Sequence, residues 1–310
     1  MPEYKQAPAI LDAIAKADSI VIFRHVNPDP DALGSQLGMK EAILSVYPEK
    51  TVLALGSGEG MDAADDSVIE HSLAIITDTS NAARIDDARY ALAPETIRFD
   101  HHVKVEDFGP LDLVDEKAAA ACELEALFMK DAGWTISKEA AQNLMKGLMA
   151  DTQRFTIPTV SARSFEAAAW LMEMGADPNK AAADLFSNPY AVYEFVTRIR
   201  EKTVRQNNFL FALISEADYL GAGMAYEQAK NHVYAMNNID EIEIWALFTE
   251  QPDHRYAASL RSKKISVREI AAEFGGGGHV CACGIKDLDG RQISEIIERL
   301  SSLSLEKPEQ

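Results

Sequence analysis

The sequence is poor in cysteine, in positive charge and in long apolar runs, and each shortage excludes a class of protein. Three cysteines among 310 residues are too few and too unevenly spaced for a disulfide framework. No run of about 18 apolar residues occurs, so we expect no membrane-spanning helix. The first residues also lack the charged and then apolar pattern of a signal peptide. We therefore expect a globular protein of the reducing cytoplasm.

The shortage of positive charge limits the ligands of the protein. Lysine and arginine total 30 against 49 aspartates and glutamates, which gives a formal net charge of −19. Binding along a long nucleic acid needs many cationic side chains against the phosphates, so we expect no such partner. A nucleotide substrate would have to be short and held by bound metal ions and a few local cations.

Residues 19–39 are the stretch around which the rest of the chain is organised. Residues 20–23 are apolar, β-branched or aromatic, which is typical of a buried parallel strand. His25, Asp29 and Asp31 follow directly, and a helical pattern comes next. A strand, a polar loop and a helix predict the first crossover of an α/β sheet, where ligands bind at the carboxyl ends of strands.

The Asp-Pro-Asp segment within this stretch allows two interpretations. An isolated copy usually serves turn chemistry, with the side chains bonded to their own backbone. In an extended loop, however, Asp29 and Asp31 would point to opposite sides of the chain. The preceding strand, His25 and the acidic groups downstream favour the second interpretation, in which each carboxylate serves one of two adjacent cations.

Further predicted strands also end in polar groups. They span residues 51–55, 73–77 and 96–99. The strand at 73–77 leads into Asp78, and the strand at 96–99 leads into residues 100–102, which read Asp-His-His. Because parallel strands share one carboxyl edge, we expect these groups to meet there.

One more acid, Asp151, follows a helix predicted at 138–149. A carboxylate at a helix C-terminus faces the negative end of the dipole and needs a cation to neutralise it. The candidate site is therefore made of His25, Asp29, Asp31, Asp78, Asp100, His101, His102 and Asp151. Its five carboxylates would repel one another without metal, and two divalent cations would remove that repulsion. Imidazole and carboxylate ligands without a thiolate favour a metal such as Mn²⁺.

The predicted architecture is α/β followed by α+β. An N-terminal domain at 1–188 would have a mostly parallel sheet flanked by helices. A linker helix at 189–205 would lead to a smaller domain at 206–310. Its predicted elements are strands at 209–214, 242–248 and 256–260 and a helix at 267–273, and its tail at 304–310 should fray.

Four consecutive glycines occupy positions 275–278, just before His279. Glycine runs cost backbone entropy, so they predict a loop rather than the interior of a strand or helix. The backbone amides of such a loop can form an anion-binding nest. A flexible linker is the alternative, although no serine- and glycine-rich continuation follows.

Four ordered motifs resemble those of the DHH phosphoesterase family. They are residues 25–35, Asp78, residues 100–102 and residues 151–155. The Ser-Leu-Arg-Ser segment at 259–262 and the glycine-histidine segment at 275–279 resemble the DHH-associated substrate domain. The compact two-domain layout is similar to the NrnA subfamily, which hydrolyses nanoRNA and 3′-phosphoadenosine 5′-phosphate (pAp).

The resemblance implies a two-metal phosphoesterase, with two Mn²⁺ ions per site and Mg²⁺ or Co²⁺ as alternatives. One ion would be bound by His25, Asp29 and Asp78, and the other by Asp31, Asp78, His101 and Asp151, so that Asp78 bridges them. Asp100 would orient the neighbouring imidazoles. His102 would face the substrate and either stabilise the phosphoryl oxygens or protonate the leaving oxygen.

The resemblance also implies substrate contacts in the second domain. These are Arg261, Ser262, Gly276, Gly277, Gly278 and His279, of which Arg261 and His279 would bind the terminal phosphate. The expected substrates are very short oligoribonucleotides and pAp, and a homodimer is compatible with the family. The alternatives are a cyclic- or linear-dinucleotide phosphodiesterase, a manganese inorganic pyrophosphatase, and an inactive nucleotide-binding regulator.

Overall fold

The computed structural model describes residues 4–305, so most of the tail that was expected to fray lies outside the described residues. The chain forms two compact units, Met1–Ser187 and Asn188–Gln310. No helix in the described part is long and apolar enough to cross a membrane.

A parallel sheet is the frame of the first unit. Its five strands lie in the order β2-β1-β3-β4-β5. They are β1 Ser19–Phe23, β2 Thr51–Ala54, β3 Leu73–Thr77, β4 Glu95–Asp100 and β5 Asp112–Val114. All four strand pairings are parallel, which confirms the α/β prediction for this part of the chain. The apolar residues of β1 and all of β3 are buried, which is why both read as continuous apolar runs.

Seven α-helices accompany this sheet in the described residues of the first unit, with 3₁₀ segments at Ala82–Arg84 and Ala88–Leu92. The α-helices are α1 Ala7–Lys16, α2 Pro30–Val46, α3 Asp66–Ile69, α4 Ala121–Asp131, α5 Lys138–Asp151, α6 Ala162–Glu173 and α7 Pro178–Phe186. Glycines set the close approach of α2 and α5. A Cβ on Gly147 would lie 2.3 Å from the sulfur of Cys122 and 2.7 Å from Oδ1 of Asp31.

The prediction of an extended loop through Asp31 was wrong, because α2 begins one residue earlier. Pro30 occupies the first helical position, where a missing N–H costs nothing. Asp29 is the N-cap, and its Oδ1 accepts hydrogen bonds from the backbone N–H of Asp31 at 3.0 Å and of Ala32 at 2.9 Å. Asp31 therefore lies in the first turn of the helix.

The second unit contains a mixed sheet with six strands in the order β10-β11-β9-β8-β7-β6. They are β6 Val204–Gln206, β7 Phe209–Ile214, β8 Ile244–Glu250, β9 Tyr256–Ser262, β10 Gly277–His279 and β11 Ala282–Leu288. Its helices are α8 Tyr190–Glu201, α9 Glu216–Leu220, α10 Tyr226–Ala229, α11 Arg268–Glu273 and α12 Gly290–Leu303, with a 3₁₀ segment at Lys230–Met236. This mixed sheet with helices confirms the α+β prediction.

The helices of the second unit cover two faces of its sheet. Phe195 and Ile199 of α8 belong to one apolar cluster, together with residues of the 3₁₀ segment. Ile293 and Ile296 of α12 belong to another cluster, together with residues of α11. Helix α8 lies within the range predicted as a linker, and the domain boundaries remain a prediction.

The glycine run was predicted to be a loop, but its second half is a strand. Gly277, Gly278 and His279 pair with β11 in an antiparallel hairpin. A Cβ on Gly276 would lie 2.3 Å from the carbonyl oxygen of Gly284, and one on Gly278 would lie 2.3 Å from that of Ala282. The close approach of β11 therefore requires glycine at both positions, despite the entropy cost of glycine in a strand.

Candidate metal centre

The ends of three neighbouring strands bring the predicted site residues together. His25 follows β1, Asp78 follows β3, and the Asp-His-His segment begins at the last residue of β4. These strands are adjacent and parallel, so their carboxyl ends form one edge of the sheet. Asp78 is buried and has a positive φ of 50°, and its N–H donates to the carbonyl of Phe99 at 2.8 Å. A non-glycine residue with such a φ is uncommon and often marks a functional site.

The first group of potential ligands consists of His25, Asp29 and Asp78. Nε2 of His25 lies 3.8 Å from Oδ2 of Asp29 and 3.5 Å from Oδ2 of Asp78. Nδ1 of the same ring is 2.8 Å from the carbonyl oxygen of Val26, to which it donates its proton. The lone pair of Nε2 therefore points toward the two carboxylates, as in a metal-binding histidine.

The second group consists of Asp31, His101 and Asp151. Nε2 of His101 lies 3.9 Å from Oδ2 of Asp31 and 3.4 Å from Oδ2 of Asp151. It also lies 3.4 Å from Oδ1 of Asp78, whose other oxygen faces the first group. The carbonyl oxygen of Ala118, at 3.3 Å, accepts from Nδ1 and fixes this ring.

Asp31 reaches the site from a buried position. Its Oδ2 accepts from the backbone N–H of Ala121 at 2.7 Å, and its Oδ1 accepts from that of Cys122 at 3.2 Å. Both donors are the first residues of α4, where the helix dipole favours an anion. Burial and the charges of Asp78 and Asp151 nevertheless raise the pKa of Asp31 to about 8.

Electrostatics show that these residues fit divalent cations. Burial, partly offset by His101 and reinforced by Asp78, raises the pKa of Asp151 to about 6. Burial alone would lower the pKa of His101, but contacts with Asp78 and Asp31 raise it to about 10. Buried Oδ1 of Asp78 accepts no hydrogen bond from any described residue. Metal ions would satisfy this oxygen and the two Nε2 lone pairs and would relieve the repulsion among the carboxylates.

His102 forms a third group of potential ligands with Asp78 and His101, but its surroundings differ from those of the other two histidines of the site. Its Nδ1 lies 2.8 Å from Oδ1 of the buried Asp100, and its ring is 39% exposed. The hydrogen bond to Asp100 raises the pKa of His102. Nε2, on the opposite side of the ring, is left available to a ligand. The predicted roles of both residues stay predictions.

Only some of the predicted substrate residues of the second unit lie on neighbouring strands or line the same cavity. Arg261 on β9 pairs with Ala282 on β11, which pairs in turn with His279 on β10. Nη1 of Arg261 donates to the carbonyl of Leu260 at 2.8 Å, and the buried Ser262 hydroxyl donates to that of Ile265. The remaining predicted residues are glycines, and of these Gly276 and Gly277 line a cavity of about 690 Å³. The substrate roles of all six residues stay predictions.

The sequence analysis missed Arg84, which lies beside the first ligand group. Its carbonyl accepts from the N–H of Val26 at 2.7 Å, and its Nη2 lies 3.5 Å from Nδ1 of His25. That nitrogen already donates to a carbonyl, so the guanidinium makes a contact rather than a hydrogen bond. Arg84 is exposed and forms no ion pair within residues 4–305. No local pattern distinguishes it in the sequence.

Glu125 on α4 was also missed. It is fully buried, and neither carboxyl oxygen has a hydrogen-bond partner in the described part of the chain. Burial and the charges of Asp31 and Asp78 raise its pKa well above the ordinary value. In the sequence Glu125 is one of two acidic residues, with Glu123, among the mostly apolar residues that begin α4.

Comparison with known proteins identifies two domains and relatives that match nearly the full chain. Residues 19–150 match the model of the DHH family, N-terminal domain, and residues 207–304 match the DHHA1 domain. The probable bifunctional oligoribonuclease and PAP phosphatase NrnA of Streptococcus mutans is 34% identical, over 95% of this chain and 97% of that protein. The bifunctional oligoribonuclease and PAP phosphatase NrnA of Bacillus subtilis is 29% identical, over 96% and 98%.

A solved structure shows the same fold. The exopolyphosphatase-related protein of Bacteroides fragilis superimposes with a TM-score of 0.81 at 21% identity, over 97% of this chain and 98% of that one. The ordered motifs, the parallel sheet and the full-length relatives lead to one conclusion. The chain belongs to the DHH family of metal-dependent phosphoesterases, and a DHHA1 domain follows its DHH domain.

Proposed function

We propose that this protein hydrolyses very short oligoribonucleotides to mononucleotides and converts pAp to AMP, using two Mn²⁺ ions. The observation that carries the proposal is the pair of ligand groups joined by the two oxygens of Asp78. Support for the substrates comes from relatives that match nearly the full chain and carry both activities in their names. The net charge of −19 favours short substrates over long nucleic acid.

The ligand residues would hold the metal, and contacts within the protein orient them. His25 and His101 are each oriented by a backbone carbonyl, and Asp29 is fixed by the N-terminus of α2. Asp31 is fixed by the N-terminus of α4. When bound, two divalent ions supply Lewis-acid polarisation of the phosphoryl oxygens and a water of lowered pKa. Rigid ligands keep these groups in place at no further entropy cost during the reaction.

His102 is proposed as the proton donor to the leaving ribose oxygen. The hydrogen bond from Nδ1 to Asp100 raises the pKa of His102 and so favours the protonated ring. When the phosphorus–oxygen bond breaks, the proton on Nε2 passes to the departing oxygen, and Asp100 stabilises the ring throughout. The cleavage therefore yields an alcohol rather than an alkoxide.

Three finer points belong to the same proposal. Mn²⁺ is favoured because both groups combine imidazole nitrogen with carboxylate oxygen and contain no thiolate. A cytoplasmic location is supported by free thiols at Cys122, Cys281 and Cys283. A homodimer is proposed on the family resemblance.

A substrate panel tests the proposal. The panel contains a 5′-phosphorylated dinucleotide, a pentamer, a 24-mer, pAp, cyclic di-AMP and pyrophosphate, each with Mn²⁺, with Mg²⁺ and without metal. We expect Mn²⁺-dependent turnover of the dinucleotide and of pAp, and little turnover of the 24-mer. Activity confined to cyclic di-AMP or to pyrophosphate would keep the metal centre and overturn the substrate assignment. Tight nucleotide binding without any turnover would instead identify a regulator.

A further inference from the structure

A buried arginine on β4 has no part in the site as predicted from the sequence. Arg98 is fully buried, although arginine is almost never so unless it is paired. Strands β4 and β5 pair in a register that places Asp112 directly opposite Arg98. Nη2 of Arg98 donates to Oδ2 of Asp112 at 2.6 Å. Because a buried ion pair seldom adds net stability, the presence of this one indicates a further role.

The same guanidinium faces the carboxyl end of β4. Residues two apart on a strand point to the same face, so Arg98 and Asp100 lie side by side. Nη1 of Arg98 is 4.0 Å from Oδ2 of Asp100, an oxygen that is buried and accepts no hydrogen bond from any described residue. Oδ1 of Asp100 accepts from Nδ1 of His102 at 2.8 Å. A buried carboxylate needs a compensating charge, and within residues 4–305 Arg98 is the only lysine or arginine this close to it.

Arg98 also holds two loops at this edge of the sheet. Nη1 donates to the carbonyl of Ser80 at 3.2 Å, in the segment after β3, and Nη2 donates to the carbonyl of Glu106 at 2.9 Å, in the segment after the Asp-His-His motif. The guanidinium carbon lies 4.6 Å from the centre of the Phe108 ring. The planar fork of arginine presents donors in several fixed directions, which the point charge of lysine does not. One buried side chain therefore connects Asp100 to the loops that follow β3 and β4.

We propose that Arg98 is a positioning residue, which acts through Asp100 to hold the ring of His102 with Nε2 toward the leaving oxygen. The inference rests on the proposed function, in which His102 gives its proton to the ribose oxygen. Arg98 attracts one oxygen of Asp100, so the other oxygen stays directed at Nδ1 of His102. Without the guanidinium the carboxylate loses its fixed orientation, and the imidazole loses its orientation with it.

The leaving group separates this role from a general loss of structure. Cleavage of a dinucleotide expels a strongly basic ribose oxygen that needs a proton, whereas the p-nitrophenyl ester of AMP expels p-nitrophenolate, which needs none. We expect Arg98→Met to lower kcat for Mn²⁺-dependent cleavage of the 5′-phosphorylated dinucleotide about tenfold or more, and to leave kcat for the aryl ester within about twofold of wild type. Equal losses on the two esters would overturn the positioning role.

Asp112→Asn is the matched control, because it weakens the same buried ion pair and leaves Arg98 beside Asp100. This variant should lower the melting temperature without a selective loss on the dinucleotide. Arg98→Lys keeps the charge but not the fork, and it should restore part of the dinucleotide activity. A selective loss in Asp112→Asn as large as that in Arg98→Met would refute the action through Asp100. If Arg98→Met does not fold, Arg98→Met combined with Asp112→Leu replaces both charges by apolar side chains, a change that buried ion pairs often tolerate.

Nuclear magnetic resonance gives a readout that does not depend on turnover. In the Mg²⁺-loaded full chain with ¹⁵N-labelled histidine, the Nδ1 proton of His102 should give a slowly exchanging signal in the wild type and in Asp112→Asn. We expect Arg98→Met to lose this signal. An unchanged signal in Arg98→Met, or no such signal in the wild type, would overturn the positioning role. If the wild type hydrolyses neither the dinucleotide nor pAp, the proposed function fails, while the signal still decides whether Arg98 positions the ring.

Discussion

At the scale of single residues, Asp78 belongs to the first ligand group and also contacts His101 of the second. Its Oδ2 lies 3.5 Å from Nε2 of His25, and its Oδ1 lies 3.4 Å from Nε2 of His101. Asp29, by contrast, belongs to the first group alone. Removing the charge of Asp78 should therefore affect metal binding differently from removing the charge of Asp29.

We predict that Asp78→Asn abolishes binding of both metal ions and lowers turnover at least about a thousandfold, because several kcal/mol of transition-state stabilisation is lost. Asp29→Asn, the matched variant, should weaken only one of the two ions. Titration calorimetry with Mn²⁺ and steady-state kinetics measure both effects. Two ions bound to Asp78→Asn with wild-type affinity would contradict the shared-ligand geometry.

Arg84 supports a second prediction at this scale. Its unpaired guanidinium beside His25 can form charge-assisted hydrogen bonds with a phosphate at the site. Arg84→Met should weaken binding of inorganic phosphate to the Mn²⁺-loaded protein about tenfold, without changing the binding of Mn²⁺. Lys16→Met is the control, since Lys16 ends the helix before β1 and so lies near the opposite edge of the sheet. Equal losses in both variants would point to net charge rather than to position.

The sequence revealed the residues of the metal centre more readily than the groups around them. His25, Asp78 and the Asp-His-His segment were recognisable because each follows a buried strand. Arg84 was not recognisable, because its place beside His25 depends on a backbone contact between two segments far apart in the chain. The buried position of the Ser262 hydroxyl depends in the same way on a turn after β9 that no motif predicts.

At the scale of secondary-structure elements, the packing of α5 on α2 controls the position of a ligand. Gly147 lets α5 approach, and an added methyl group would collide with Cys122 and with Asp31 itself. Gly147→Ala should destabilise the protein by about 1–3 kcal/mol through overpacking and should also weaken metal binding. Urea unfolding and Mn²⁺ titration measure the two effects. Gly290→Ala, in the open first turn of α12, is the control and should change neither the stability nor the metal affinity. If Gly147→Ala also left both unchanged, the close packing would be refuted.

The start of α9 carries a pH-dependent contact. Burial would raise the pKa of Asp218, but hydrogen bonds from Lys202 and Ser215 lower it below its ordinary value overall. The ionised side chain therefore stabilises the fold above the unfolded pKa, and this contribution is lost as the pH falls through the folded pKa. Asp218→Asn should cost about 1 kcal/mol at pH 7. Urea unfolding at several pH values should show that the difference in unfolding free energy between wild type and Asp218→Asn shrinks below about pH 4. A difference that does not depend on pH would contradict this role of the ionised side chain.

Elements with strong patterns were predicted, and elements that depend on tertiary contacts were not. Strands β1 and β3 are buried apolar runs, which sequence patterns reveal. Strand β5 has only three residues, and β10 consists of two glycines and a histidine. Both exist because a neighbouring strand supplies hydrogen bonds, a fact that local sequence does not contain.

At the scale of the whole molecule, the two units have separate apolar cores, and every potential metal ligand identified among the described residues belongs to the first. Metal should therefore stabilise the two units unequally. We predict that saturating Mn²⁺ slows amide exchange in α2, α5, β1 and β3 and leaves β7, β8 and β9 unchanged. Hydrogen exchange followed by mass spectrometry measures this. Equal protection of both sheets would show that the metal acts on the whole chain.

The crowded carboxylates also affect the stability and the abundance of the protein in a cell. Asp31 and Asp151 have raised pKa values in the metal-free fold, because their negative charges oppose one another and are buried. A chain synthesised when metal is scarce therefore starts with a less stable first unit and unfolds more often. Proteases and chaperones act on such unfolded molecules, so small changes in stability alter abundance several-fold. The amount of this protein should consequently follow the supply of its metal, with no dedicated regulator required.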